Sequence, residues 1–484
     1  MVFGWDLLNL EEMAINQPLI SNNHPAMNPR YLIVCAVCAL LLTSCGRGTG
    51  IIRTPEPTRP AGQQDMIQFA AEPIADVGIG VVGLGMRGGD AVQRLSLVPG
   101  CHVAAVCDVE TDRAEASLQY LEGRGVQAHS YSGEEESYKA LCEDPEVDLV
   151  YICTDWLHHV PVALYAMEHG KHVAVEVPSA TSLEECWNLV NTSERTRRHC
   201  MILENCCYDF FELTALAMAQ AGVFGEIIHA EGAYHHNLDP FWKEYWNNWR
   251  LDFNRTHRGD LYPTHGFGPI CQALDIHRGD RLTTLVAMDT RPFNGPKHVE
   301  AATGEPCTDF QHGDVTTTLL RTAKGKTILL EHDVMTPRPY SRMYQLVGTD
   351  GYAEKYPIQG ICLRKEGAEN VDYQNLGGEK TYRGEALEAL LAQYNNPILT
   401  PELVALAKEV GGHGGMDFLM DYRLVYCLNN GLPLDMDVYD LAEWCCVTEL
   451  SRISLENGSM PVEVPDFTRG AWDRVQGFSY AFAQ

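Results

Sequence analysis

The chain has 484 residues, 45% of them hydrophobic and 21% charged. That balance excludes a disordered chain and allows two or three domains around a large core. The formal net charge of −29 argues against a nucleic-acid partner, which would need a basic face; the acidic residues are spread out, as on a solvated surface.

Residues 1–45 read as an export segment. Arg30 supplies a short basic start, Tyr31–Leu42 is an apolar run too short to span a bilayer comfortably, and Thr43-Ser44-Cys45 follows. Leu42-Thr43-Ser44-Cys45 resembles a bacterial lipobox. Cys45 would then be the lipidated first residue of a protein exported to the cell envelope, facing the periplasm or the outside. The lipid would be its sole membrane contact; a transmembrane anchor or a buried strand is the weaker alternative. Residues before Met27 show no folding pattern, so the start is Met1 or Met27. Residues 46–73, rich in Gly, Pro, Thr and Gln, read as a flexible tether. Seventeen cysteines usually mean disulfides in an exported chain. Here Cys107, Cys153, Cys206 and Cys271 fall in apolar or mixed runs, and Cys206-Cys207 and Cys445-Cys446 are vicinal. Most therefore read as small buried residues, and no spacing matches a metal site.

Residues 74–205 alternate short apolar strands (77–83, 102–108, 148–153, 171–176, 199–203) with amphipathic helices such as 111–122 and 181–197. That pattern means parallel βαβ units of a Rossmann dinucleotide-binding domain, with ligands at the carboxyl ends of the strands. The first strand runs into Gly83-x-Gly85-x-x-Gly88, and a helical pattern (Ala91, Val92, Leu95) follows. Glycines there allow a tight turn and close approach of a pyrophosphate to a helix N-terminus. The second strand ends in Asp108, 20 residues after Gly88, where a carboxylate would take ribose hydroxyls and favour NAD over NADP. A glycine-rich turn without a ligand is the alternative, and the conjunction of strand, glycines, helix and acid argues against it. Three later strand ends are rich in polar groups: Thr154-Asp155-Trp156-Leu157-His158-His159, Glu176-Val177-Pro178 and Glu204-Asn205-Cys206-Cys207-Tyr208.

From 206 to 484 the pattern changes to an α+β domain with an open, largely antiparallel sheet. A helix at 209–221 leads to a strand-like segment, 226–236, ending in Tyr234-His235-His236. Further strands are expected at 315–321, 326–333 and 342–348, and helices at 401–411, 416–428 and 437–457. An aromatic loop, Phe241 to Arg250, and Tyr262-Pro263-Thr264-His265-Gly266 lie between. Trp242, Trp246 and Trp249 fit a core cluster or a sugar-stacking platform equally.

The glycine turn, Asp108 and the Glu-x-Pro after the fifth strand resemble the Gfo/Idh/MocA oxidoreductase superfamily. Its dehydrogenases carry Glu-Lys-Pro, and the lysine helps move the substrate proton; Val177 stands in that place here. The departure matches one branch. Gly83-Leu-Gly-Met-Arg-Gly88, Trp156-x-x-His159, Glu176-Val177-Pro178, Glu204-Asn205-Cys206-Cys207-Tyr208, Tyr234-x-His236, Trp249-Arg250 and Tyr262-Pro263-Thr264-His265 together resemble glycoside hydrolase family 109, the NAD-dependent α-N-acetylgalactosaminidases, over roughly residues 75–480.

The resemblance implies that Met86, Arg87 and Asp108 hold the adenosine half and pyrophosphate of NAD. Trp156, Leu157, His158, His159, Glu176, Val177 and Asn205 would line the ribose–nicotinamide side. Tyr234, Arg250, Tyr262, Pro263, Thr264, His265 and Tyr344 would face a glycan's terminal N-acetylgalactosamine, with His236 as a catalytic base. Asn237 stands where the family usually has aspartate. The open sheet implies a homodimer. The implied reaction oxidises C3 of the sugar, eliminates the aglycone after loss of the C2 proton, adds water and reduces C3 again, so the cofactor is recycled. A neutral His236 suits deprotonation of the C3 hydroxyl, and Tyr234, Tyr262 or Tyr344 could handle the C2 proton. Arg250 also fits a structural ion pair, and Tyr344 alternates with apolar residues as a core residue would. Rival readings are a sugar dehydrogenase of the wider superfamily and a non-catalytic, NAD-holding sugar-binding lipoprotein.

Overall fold

A computed structural model describes residues 50–364 and 379–483. The export segment and Cys45 lie outside the described residues. Among those described, no helix is long and apolar enough to cross a membrane.

The first sheet has six parallel strands: β1 (Val77–Val82), β2 (Cys101–Asp108), β3 (His129–Ser132), β4 (Leu149–Ile152), β5 (His172–Val175) and β6 (Cys200–Ile202). Their order is β3-β2-β1-β4-β5-β6. Helices α1 (Met86–Leu95), α2 (Thr111–Glu122), α3 (Ser137–Glu143), α4 (His159–Glu168) and α5 (Leu183–Thr196) make the crossovers. β1, β4 and β5 are buried along their whole length, as expected for strands covered on both faces. The edge strand β3 is polar and partly exposed, so it carries no apolar run to announce it. The strand order reverses between β1 and β4, and a crevice opens there at the carboxyl ends.

The second sheet has nine strands, β7 (Ile227–His235), β8 (Leu282–Asp289), β9 (Thr316–Thr322), β10 (Thr327–Asp333), β11 (Ser341–Gly348), β12 (Gly351–Glu354), β13 (Gly360–Arg364), β14 (Glu379–Tyr382) and β15 (Val462–Glu463), in the order β14-β13-β12-β11-β7-β10-β9-β8-β15. Only the β7–β10 pair is parallel. Helices α6 (Phe210–Gln220), α7 (Trp249–Thr256) and α8 (Thr264–Ala273) follow the link between the sheets. The helix α8 lies directly on β7: a Cβ on Gly266 would come 2.2 Å from the Ala233 nitrogen, and one on Gly232 2.3 Å from the Gly266 oxygen. Only glycines allow that approach, and it sets the first turn of α8 beside the end of β7.

The stretch before β1 corrects the expectation of a flexible tether. Ile52 bridges to Val462, Met66 is buried, and Ile67, Phe69 and Ile74 pack on the core. Arg59 Nε lies 3.0 Å from Oε2 of the buried Glu194. A few apolar anchors and one ion pair outweigh the loop-like composition around them. The described cysteines are unpaired, and most are buried.

Candidate active site

A cleft of about 1150 Å³ runs between the carboxyl ends of the first sheet and the end of β7. At its first end lies the glycine turn. Gly83 has φ +86°, which an L side chain rarely adopts, and a Cβ on Gly88 would meet the Gly83 oxygen at 1.7 Å. Gly88 therefore serves close packing and does not line the cleft. Helix α1 starts at Gly85 with no side-chain cap, leaving its first N–H groups free for an anion. The Asp108 carboxylate accepts the Leu84 N–H at 2.6 Å and the Glu110 N–H at 2.8 Å, so it braces the turn while its oxygens border the cleft. Arg87 is pinned by Glu176 (2.7 Å) and Asp417 (3.1 Å). Asp417, on the late helix Met416–Asn429, also accepts from Asn205 Nδ2 at 2.5 Å. The second half of the chain thus returns to brace the cofactor half.

These groups fit NAD: free helix N–H groups, a turn without Cβ atoms and a strand-end carboxylate are what the pyrophosphate and adenosine ribose need. Trp156, His158, His159, Glu176 and Val177 also line the cleft. The two ring nitrogens of His159 lie 2.9 Å from the Pro178 carbonyl and 3.0 Å from the Thr154 carbonyl, and the single N–H of the neutral ring donates to one of them at a time. Burial holds its pKa below the ordinary histidine value.

The other end belongs to β7, α7 and α8. Asn247 and Asn248 adopt left-handed φ (49° and 54°) just before α7, a conformation asparagine tolerates. That turn delivers Arg250, whose guanidinium carbon lies 5.0 Å from the ring centroids of Trp156 and Tyr262 and 5.1 Å from Tyr245. Its Nη1 donates to the Tyr245 hydroxyl at 2.5 Å, and among the described residues no carboxylate pairs with it. The structural ion pair considered for Arg250 is therefore absent among them; aromatic faces hold the cation instead. Tyr234 stacks on Tyr262 with ring centroids 4.2 Å apart, and its hydroxyl lies 2.8 Å from His236 Nδ1. Burial, then the charges of Arg250, His265 and His413, push the His236 pKa down to about 4. That ring is neutral at pH 7. His265 Nδ1 lies 2.8 Å from Glu204 Oε1, and its Nε2 3.4 Å from the Tyr262 hydroxyl.

Four expected contacts fall elsewhere. Tyr344 is 1% exposed, edge-on to Phe211, with its hydroxyl 3.4 Å from the Glu212 oxygen. The β7–β11 register breaks on both sides of Met343, and Met343 and Tyr344 have φ of 54° and 50°. This bulge turns Tyr344 into the core. Tyr340, four residues earlier, lines the cleft instead, its ring centroid 5.2 Å from that of His236. Leu157 points outward, 57% exposed. Pro263 and Thr264 are buried and lie off the cleft.

Several lining residues escaped the sequence reading: Arg113, Tyr245, Tyr340, His413 and Met416. His413 sits among Gly411, Gly412, Gly414 and Gly415, a lone polar ring in a glycine turn. Trp246 and Trp249 line the cleft, whereas Trp242 is buried against His298. Trp246 Nε1 donates to Glu110 Oε1 at 3.1 Å, bridging the cleft mouth.

Fold and site together define an NAD-binding protein of the Gfo/Idh/MocA oxidoreductase class. Residues 77–203 match the oxidoreductase family with an NAD-binding Rossmann fold, and residues 208–474 match the glycosyl hydrolase 109 C-terminal domain. The chain is 59% identical over 437 residues to glycosyl hydrolase family 109 protein 1 of Bacteroides thetaiotaomicron, covering 90% of this chain and 93% of that one. It is 56% identical over 457 residues to the family 109 protein of Porphyromonas gingivalis, covering 94% and 97%. The chain belongs to glycosyl hydrolase family 109. Similar solved folds include an Agrobacterium radiobacter oxidoreductase in complex with NAD+, L-tartaric acid and magnesium (TM-score 0.55, 17% identity, 80% of this chain and 98% of that one). Another is myo-inositol dehydrogenase from Lactobacillus casei with NAD(H) and myo-inositol (TM-score 0.53, 18% identity, 81% and 99%).

Proposed function

We propose that this family 109 enzyme removes terminal α-N-acetylgalactosamine from glycans by oxidation, elimination, water addition and reduction, as an exported, lipid-anchored protein. One observation carries the reading: a single cleft joins the dinucleotide set at Gly83, Gly85 and Asp108 to the polar set at Tyr234, His236, Arg250, Tyr262 and His265. Bound NAD supplies reversible two-electron oxidation at C3 of the sugar. The neutral His236 accepts the C3 hydroxyl proton, with Tyr234 sharing the hydrogen bond. Arg250, held by aromatic faces, keeps its outer N–H groups for oxygens of the sugar. Trp249 and Tyr340 flank the ring, and Val177 leaves no lysine at the position that serves dehydrogenases of this superfamily. The outward face of the second sheet exposes Ile228, Met288 and Leu319, which supports a homodimer joined through that face.

The test offers a chromogenic α-N-acetylgalactosaminide to the purified protein in heavy water without added NAD. The expected result is release of the aglycone with deuterium at C2 of the sugar and no net NADH. Stoichiometric NADH would assign a dehydrogenase instead, and binding without turnover a sugar-binding protein.

A further inference from the structure

Given the redox reaction proposed above, we infer that Glu204 is a positioning residue that sets His265 to take the C2 proton, leaving His236 to the C3 hydroxyl. Glu204 follows β6 and has no exposed surface. Its Oε1 accepts the Cys206 N–H at 3.1 Å and faces His265 Nδ1 at 2.8 Å, while Oε2 makes no hydrogen bond of good geometry among the described residues. Burial opposes its charge, yet His265 and the hydrogen bonds hold the carboxyl below its ordinary range. An ionised carboxylate in an apolar wall, half satisfied, is costly unless the ring against it uses the charge.

The geometry fixes that use. With Nδ1–H donating to Glu204, the neutral ring leaves Nε2 free to accept a proton, and Nε2 borders the cleft beside the Tyr262 hydroxyl. A carboxylate behind an imidazole stabilises the imidazolium that forms when the ring takes a proton. His236, which shares the β7 end of the cleft with His265, lacks this support. His236 Nδ1 faces a phenol, and the permanent charge that acts on it is the Arg250 cation. Other polar and titratable groups facing His265 are Tyr262, Tyr234 with its ring centroid 5.5 Å away, the buried Cys206 with Sγ within 4.8 Å of the ring, and His236. The two proton transfers differ in difficulty. A carbon acid beside a ketone needs the base whose protonated form is stabilised; a hydroxyl losing its hydrogen as C3 is oxidised does not.

The C2–H bond breaks and its proton bonds to His265 Nε2. Its electron pair moves toward the C3 oxygen as an enolate, then returns to form C1=C2 as the C1–O bond breaks. The departing oxygen takes a proton from a water and leaves as the alcohol. The hydroxide left by that water adds at C1, and His265, its N–H exchanged with solvent, returns a proton to C2.

The decisive experiment separates the two halves of the reaction in the NAD-loaded protein. Rapid mixing with the glycoside reports C3 oxidation as transient NADH absorbance, and heavy water reports C2 exchange. Glu204→Gln keeps the size and an acceptor oxygen but removes the charge. The expected result is retained NAD, a retained absorbance transient, KM within a few-fold of wild type and C2 exchange slowed about 10²-fold or more. Exchange at the wild-type rate would overturn the assignment. If Glu204→Gln does not fold, His265→Gln is read in the same way, with the same two outcomes. A wild-type protein that shows no absorbance transient would remove the redox reaction itself, and the assignment with it, a result distinct from a normal transient in both proteins with unchanged exchange.

Discussion

The Tyr234 hydroxyl and His236 Nδ1 share a hydrogen bond of 2.8 Å at the junction of the two halves of the cleft. Its consequence is a pH profile. The His236 pKa, pushed down to about 4 by burial and by nearby cations, keeps the ring neutral from there upward. The acid limb of C3 oxidation, read as the rate of the NADH transient, should have its midpoint near pH 4 rather than near the ordinary histidine value of about 6.5. A rate profile between pH 3 and 8 checks this, and His236→Ala should remove turnover while leaving bound NAD in place. The linkage has the same sign. A depressed folded pKa means that the unfolded chain binds a proton first, so stability present above about pH 6.5 declines as pH falls toward 4.

Arg250 is a buried cation held by rings instead of a carboxylate. Such a charge costs stability and persists where function needs it. Arg250→Met, similar in length and uncharged, should leave the melting temperature unchanged or raise it by a few degrees, while lowering kcat/KM by at least about 10²-fold. Arg250→Lys should be nearly as inactive, because an ammonium lacks the planar fork that the rings orient. Calorimetry and steady-state rates on the same samples check both statements.

The Trp246–Glu110 hydrogen bond closes the mouth of the cleft over the dinucleotide end. Trp246→Phe should therefore speed cofactor loss without changing the fold. Removing one such bond is worth about 1 kcal/mol, so release of NAD should accelerate roughly 5-fold. Dialysis followed by absorbance of the retained dinucleotide measures it.

His277 is 1% exposed, between Glu443 Oε2 at 2.8 Å and Asp437 Oδ1 at 3.5 Å. Burial and Arg278 oppose its charge, but Asp440, Glu443 and Asp437 overcome them and raise its pKa to about 10. A raised folded pKa contributes stability that is complete below about pH 6.5 and is lost as pH climbs through 10. Thermal unfolding should fall over that window, and His277→Gln should be less stable at pH 7 and flatter across it.

The fold was legible because its signals are local. Parallel strands buried on both faces show as apolar runs, and the glycine turn with Asp108 carries its own spacing. The site was legible in part. Tyr234, His236, Arg250 and His265 converge as expected, since each sits at an element's end. Tyr344 and Tyr340 show the limit: a bulge of one residue decides which tyrosine reaches the cleft, and β11 carries no sequence mark for it. Asp417 is held to Arg87 across 330 positions of chain, a pairing that no window of sequence contains. The leading segment erred for a related reason, because Arg59 reveals its partner only after α5 has been packed.

That segment has a mechanical consequence. Glu194 collects Arg59, Gln63, Arg469 and Tyr439 on one buried carboxylate, at 3.0, 3.2, 3.0 and 2.6 Å. The strap from Ile51 onward is thus clamped to both halves of the molecule, like a cable fixed at its middle. A pull applied upstream meets the Ile52–Val462 bridge first and then this clamp, which shares it between the helix of Glu194 and the helix of Tyr439. A proteolytic cut after Gln63 would remove Arg59 and Gln63 and leave Glu194 with Arg469 and Tyr439, so trimming at this point should lower the melting temperature.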